Sequence, residues 1–237
     1  MSPTPAKTHS SKKAPRRGAV AAIHPRRART PWVIVAVVAA ALAALFLIYQ
    51  SATPTPGTTG PDNAGNDHYS IGSPGIGAMA PDFALPDVTG HPTGVPTARL
   101  ADYRGKTVLL YFHEGLGCQP CWNQIRDLQN KPDLLKSLGV DQLLTITTGP
   151  ADLVAEKMAD DKLTEPALVD PDLTVSRSYQ ANQYGMMGTD RDGHTFVLVG
   201  PDGRIQWRAD YGGTPNYTMY VAPDQLAADL RAGRANS

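Results

Sequence analysis

TVLLYFHEGLGCQPCW, residues 107–122, is the stretch on which the fold turns. Its first half, Thr107 to Phe112, is an unbroken apolar run behind Arg104-Gly105-Lys106. That is the pattern of a short strand buried on both faces, and it makes this segment the central strand of a sheet. A glycine-containing loop, Glu114 to Gly117, follows. Cys118-Gln119-Pro120-Cys121 then opens a helix, which the spacing of Trp122, Ile125 and Leu128 carries along one face as far as Gln129. Pro120 falls in the first helical turn, where its missing N–H removes no helix bond.

Placement matters more here than the C-x-x-C pattern itself. At a helix start the Cys118 sulfur faces unpaired backbone N–H groups and the positive end of the helix dipole, both of which favour thiolate over thiol. Thiols so placed titrate at about 3.5 to 7.5, against about 8.5 for a free one. Spacing of three brings the Cys121 sulfur to the same side, where it can resolve a mixed disulfide formed on Cys118. Three other chemistries compete for the pair. Half a zinc site lacks a second C-x-x-C or a His-x-x-x-His to complete four ligands. A structural disulfide closes too small a ring to restrain much of the unfolded chain. Cu(I) binding would recruit His113, His194 or Met186-Met187 beside the thiolates.

Outward from this core the pattern continues. Upstream, Ala80 to Pro86 is too rich in proline for a central strand and reads as an edge or lead-in, and Val88 to Thr97 reads as a loop. Downstream, Gln142 to Thr148 is a second strand, and Pro150 opens a helix through about Asp161. Ala167 to Val169 is a short strand and Leu173 to Tyr179 a short helix. Thr195 to Val199 and Arg204 to Arg208 form a hairpin about Gly200-Pro201-Asp202-Gly203. An amphipathic helix from Pro223 to about Arg231 closes the chain. Strands alternating with helices, then a hairpin, predict an α/β fold, a mixed sheet flanked by helices.

The 237 residues carry no net charge, yet eight of the 22 Lys and Arg precede residue 30 and no Asp or Glu precedes Asp62. The remainder, with 14 basic and 22 acidic side chains, is acidic, which argues against nucleic acid as a partner. From Trp32 to Tyr49 no side chain is charged or strongly polar. These residues, 32–49, predict a single transmembrane helix, with Trp32 and Tyr49 at the two interfaces. Residues 1–31 then form a basic cytoplasmic arm and everything after Tyr49 is extracytoplasmic. A cleaved secretory leader is the alternative reading of the same run, and it also exports the rest of the chain. Residues 50–76, dominated by Pro, Gly, Thr and Ser, read as a flexible stalk. That leaves 77–237 as the globular domain.

On these residues the chain resembles the thioredoxin superfamily, and within it the redoxin or peroxiredoxin-like (AhpC/TSA-type) branch that includes membrane-anchored thiol reductases. The carriers are Ala80-Pro81-Asp82-Phe83 with Leu85, Leu100 to Lys106, the strand ending Tyr111-Phe112, and the cysteine pair. Val169-Asp170-Pro171-Asp172 with Tyr179, and Thr195 to Val199 with Asp202-Gly203 and Ile205, look like later family segments. The resemblance implies a thioredoxin-like fold over about Ala80 to Leu230. It also implies thiol-disulfide exchange with protein thiols through Cys118 and Cys121 as a redox disulfide, without a cofactor or metal. A reductase acting outside the cytoplasm needs an electron source, and a membrane dithiol carrier is the expected donor.

Two departures bear on function. The family's thioredoxins place a cis-proline before the strand facing the cysteines, where this chain has His194 ahead of Thr195. Its peroxiredoxins carry Pro-x-x-x-Thr-x-x-Cys. Aligned on Cys121 those positions hold Glu114 and Cys118, and aligned on Cys118 they hold Tyr111 and Gly115. A two-cysteine peroxidase is therefore the runner-up, with the roles of the cysteines reversed, and a copper-binding or metallochaperone module is the alternative from another class. Supporting candidates are His194, either with Thr195 beside the pair or as an exposed turn histidine after Arg191-Asp192-Gly193, Glu114 as a proton shuttle or a solvated loop carboxylate, and Trp122 as core packing or a rim residue.

Overall fold

The computed structural model of the chain describes residues 35–45, 68–90 and 96–235. Residues 35–45 form helix α1, in a unit of their own. No helix among the described residues is long and apolar enough to cross a membrane. Both ends of the expected span at 32–49, the whole arm 1–31 and the stalk up to residue 67 lie outside the described residues.

The second unit is built on a sheet whose middle strand is the one the sequence points to. The chain runs from β1 (Ala84–Pro86) to β2 (Thr97–Arg99), which pair antiparallel, then through a 3-10 turn at Leu100–Tyr103 into β3 (Val108–His113). After it come α2 (Gln119–Gln129), α3 (Pro132–Ser137), β4 (Gln142–Thr147), α4 (Ala151–Asp160) and β5 (Ala167–Val169). The last part holds α5 (Thr174–Ser178), a 3-10 turn at Ala181–Gln183, β6 (Thr195–Val199), β7 (Ile205–Asp210) and α6 (Pro223–Ala235). Five strands form one sheet in the order β5-β4-β3-β6-β7. β3, β4 and β5 run parallel, while β6 and β7 join antiparallel.

Every residue of β3 is buried because both faces of the sheet are covered. Alternate side chains divide between two layers. Leu109, Tyr111, Phe196 and Leu198 pack with Trp122, Ile125 and Leu128 of α2, Val154 and Met158 of α4, and Leu226 and Leu230 of α6. Leu110, Phe112, Val197 and Val199 pack on the other side with Phe83, Leu85, Leu100, Val175 and Tyr179.

Residues 68–76, expected to belong to the flexible stalk, are docked on the domain. Tyr69 is buried in the main core, edge-on to Trp207 and Tyr211, and its hydroxyl accepts the Trp207 indole N–H at 3.1 Å. Ser70 bridges to Asp210, and Gly72 comes so close to Tyr184 that a Cβ would lie 2.3 Å from the phenol oxygen. The composition of 50–76 hides this, because one aromatic ring and one close glycine suffice to dock nine residues.

β7 also runs past the predicted Arg208, to Asp210, because those two residues form a fully buried ion pair along the strand. Arg208 donates from Nε and Nη2 to the two Asp210 carboxylate oxygens, each at 2.9 Å. The same carboxylate accepts the Thr195 hydroxyl at 2.7 Å and the Gly72 N–H at 2.6 Å. Thr195, grouped in the sequence with the cysteines, thus points to the opposite face of the sheet and holds this ion pair.

Candidate functional site

β3 ends at His113, and the loop to α2 reverses at Gly115 (φ +70°), where a Cβ would meet the Thr147 hydroxyl at 2.2 Å. Only glycine takes that turn without a clash. The reversal delivers Cys118 to the N-cap position of α2, with Pro120 in the first turn. Cys118 and Cys121 are joined in a disulfide with a Cα–Cα distance of 5.4 Å. The pair is unequal: Cys118 keeps 5% of its surface exposed and Cys121 none. Once reduced, the Cys118 sulfur stands at the positive helix end, which favours its thiolate.

Glu114 is neither a solvated loop carboxylate nor near solvent, being 2% exposed. Its Oε1 accepts the backbone N–H of Met186 at 2.5 Å and of Met187 at 2.9 Å. It therefore ties the 185–191 loop to the cysteine loop, and Arg191 Nη1 adds a contact to the Leu116 carbonyl at 3.4 Å. Met186 and Met187 themselves are exposed. Trp122 is a core residue, not a rim one: it is buried, and its indole N–H donates to the Gly115 carbonyl at 3.0 Å, fixing the turn before Cys118.

His194 is fully buried, not an exposed turn residue. It sits against Tyr111, with ring centroids 5.2 Å apart, and beside the backbone of Thr218 and Met219. His113 stacks on Tyr111 at 5.2 Å and meets Trp122 edge-on at 5.1 Å. Burial lowers His113 to about 3, helped by His194, and burial likewise lowers His194 to about 3. Both imidazoles are neutral at physiological pH. Burial, then the Glu114 charge, pushes the Tyr111 hydroxyl upward. Among the described residues no three His, Cys, Asp or Glu side chains converge as a metal site.

One residue packed with the cysteine pair is absent from the sequence reading. Met219 forms a small apolar cluster with Cys118 and Cys121. No local pattern signals it, because the contact is made by a loop far along the chain.

A second buried acid is Asp192. Burial raises Asp192 well above the usual carboxylate range, opposed in part by the Ser176 hydroxyl, with the Asp170 carboxylate adding a smaller upward push. Folded Asp192 keeps a proton that the unfolded chain sheds, so its contribution to stability falls as pH rises beyond about 4. The histidines act in the opposite sense: their folded values near 3 lie below the usual 6.5, so their contribution is full above pH 6.5 and is lost as pH falls toward 3. The Asp192→Asn variant should accordingly be more stable than the parent at pH 7. It should also lose about 2 kcal/mol per buried histidine between pH 7 and pH 5. Urea unfolding at the two pH values checks both, and a variant less stable at pH 7 contradicts the assignment.

The profile of the AhpC/TSA family matches residues 76–208, more than half of the chain. The chain belongs to the AhpC/TSA family. Among curated relatives it is 36% identical over 105 residues to the thiol-disulfide oxidoreductase ResA of Geobacillus kaustophilus, a match covering 44% of this chain and 56% of that protein. The chain thus spans little more than half the length of that relative. It is 34% identical over 135 residues to a Mycobacterium tuberculosis protein that carries the peroxiredoxin name, covering 54% of this chain and 80% of that one. Among solved structures, the Plasmodium vivax 2-Cys peroxiredoxin in its reduced form superposes with a TM-score of 0.55 at 21% identity, over 68% of this chain and 82% of the other. The peroxidoxin BcpB of M. tuberculosis gives 0.52 at 21% identity, over 66% and 96%. At such identities the likeness is one of fold, and the fold is thioredoxin-like.

Proposed function

We propose that this AhpC/TSA protein is a membrane-tethered, extracytoplasmic thiol-disulfide oxidoreductase that exchanges electrons with protein thiols through Cys118 and Cys121. The observation that carries the reading is the bonded pair at the start of α2 with unequal exposure. In the reducing direction the Cys118 thiolate attacks a partner disulfide, forming a mixed disulfide and releasing one partner thiolate. Cys121, deprotonated, then attacks Cys118 Sγ. The mixed bond breaks, the second partner thiolate leaves with the electron pair, and the Cys118–Cys121 bond closes. Two electrons have passed to the partner, and a membrane dithiol donor returns them. The identity to ResA supports exchange chemistry.

The apolar run 32–49 behind a basic arm supports the tether, as do the exposed Val35, Val37, Val38, Leu42 and Leu45 of α1. The identity to a protein of peroxiredoxin name favours a second reading, hydroperoxide reduction. Neither cysteine has the family's Pro and Thr at the peroxide-binding spacing, and so exchange is preferred. Mixing the reduced protein with insulin, and separately with hydrogen peroxide, separates the two. Exchange predicts faster closure of the disulfide with insulin, and faster closure with peroxide would reverse the order.

A further inference from the structure

The segment 212–221 brings Met219 against the cysteine pair and is fastened to α2 at Tyr220 and Val221. Met219, 7% exposed, packs on Cys118 and Cys121 apart from the two main core layers. The Val221 N–H donates to Gln124 Oε1 at 2.7 Å, and the Tyr220 hydroxyl to the Asp127 carboxylate at 2.5 Å. Both acceptors are on α2, within two turns after Cys121. Thr218 is held by its N–H to the Tyr211 carbonyl at 2.9 Å and by its hydroxyl to the Tyr220 carbonyl at 2.7 Å. The tip of the segment is different: Thr214 to Tyr217 are exposed, and Tyr217 adopts a left-handed φ of 46°. The backbone before β6 is occupied too, since the His194 carbonyl accepts N–H groups from Tyr211 at 2.9 Å and Gly212 at 3.2 Å.

We propose that this segment is a gate on the redox centre, with Met219 as the cover that must move before a partner sulfur reaches Cys118. The proposal rests on the exchange reading above and adds its regulation. A thiolate opening a disulfide must approach in line with the S–S bond, so atoms packed on the sulfurs block it directly. Methionine suits the place because its unbranched, rotatable chain can swing aside without unpacking the core. The fastening at Tyr220 and Val221 then sets how often the cover lifts. Selectivity follows from size: a slight lifting of the cover admits a small dithiol, whereas a protein partner needs the methionine and its segment displaced further.

Reduction of the oxidised full-length protein by dithiothreitol tests this, followed by quenching with an alkylating agent and counting modified thiols by mass. One reductant thiolate bonds to Cys118 Sγ and the S–S bond breaks, leaving the electron pair on Cys121 Sγ, which takes up a proton. The second reductant thiolate displaces Cys118, which departs as a thiolate, and a cyclic disulfide results. Met219→Ala should be reduced about tenfold faster than the parent and Tyr220→Phe roughly threefold faster, since each raises the accessible fraction. Reduced thioredoxin in place of dithiothreitol should enlarge both ratios. Circular dichroism checks the fold, and should Met219→Ala unfold, Tyr220→Phe decides alone. Rates unchanged within about twofold in the folded variants overturn the gate. Faster variants that fail to exchange with insulin would leave the gate standing and remove the oxidoreductase reading. Insulin exchange with unaltered reduction rates would do the reverse.

Discussion

Cys118→Ser should abolish exchange with protein disulfides, lowering turnover of insulin by at least about a thousandfold. Cys118 carries the only exposed surface of the pair, and it alone stands at the N-cap of α2, where the helix end stabilises a thiolate. Serine fills the same space but has no accessible oxyanion at neutral pH, so the fold survives while the nucleophile is gone. Cys121 offers no rescue, being fully buried. The same variant also discriminates the peroxidase reading, in which Cys121 would be the attacking residue. There, Cys118→Ser would still consume one equivalent of hydrogen peroxide per chain. Retention of insulin turnover, or a stoichiometric peroxide reaction, is the result that would reverse these roles.

The second large effect is on stability. Asp210→Ala should destabilise the domain by about 3 to 5 kcal/mol, because it strands a buried guanidinium. Arg208 would keep only its 3.2 Å donation to the Pro74 carbonyl and its place over the Tyr184 ring, and the Thr195 hydroxyl and Gly72 N–H would lose their acceptor. Spread over a domain of this size, the loss corresponds to roughly 10 °C or more in Tm. Replacing both partners, Arg208→Met with Asp210→Leu, should recover most of it, since no charge is then left unpaired. Calorimetry of the single and double variants measures this. A single variant within about 1 kcal/mol of the parent would show that the pair is not structurally coupled.

Much of the fold is legible in the sequence because its decisive parts are local. The run 107–112 behind a Gly-Lys step can only be a buried strand, and the hairpin about Gly200 to Gly203 is written in its turn residues. The helix after Cys118 is announced by Pro120 and by Trp122, Ile125 and Leu128. The short pieces were not legible. α3 buries a single residue, Leu135, and so gives no periodicity, and β2 is a three-residue edge strand set behind a run of glycine and proline. At the site, the cysteines declare themselves by spacing, whereas the burial of Glu114, His194 and Thr195 depends on what packs over them. Glu114 is buried by the backbone of Met186 and Met187, and His194 by the segment carrying Met219, both from elsewhere in the chain. A polar side chain with its partners remote in sequence looks identical to a solvated one until those partners are placed. Tyr69 makes the same point in reverse: one ring amid low-complexity residues belongs to the core because Trp207 and Tyr211 meet it.

The central claim, that Cys118 attacks and Cys121 resolves, is tested most directly by trapping. The reduced Cys121→Ser protein is mixed with a disulfide-bonded protein and the covalent product is mapped by mass spectrometry after alkylation of free thiols. A stable mixed disulfide on Cys118 that dithiothreitol releases is the predicted result, and a folded variant that forms no adduct contradicts the account.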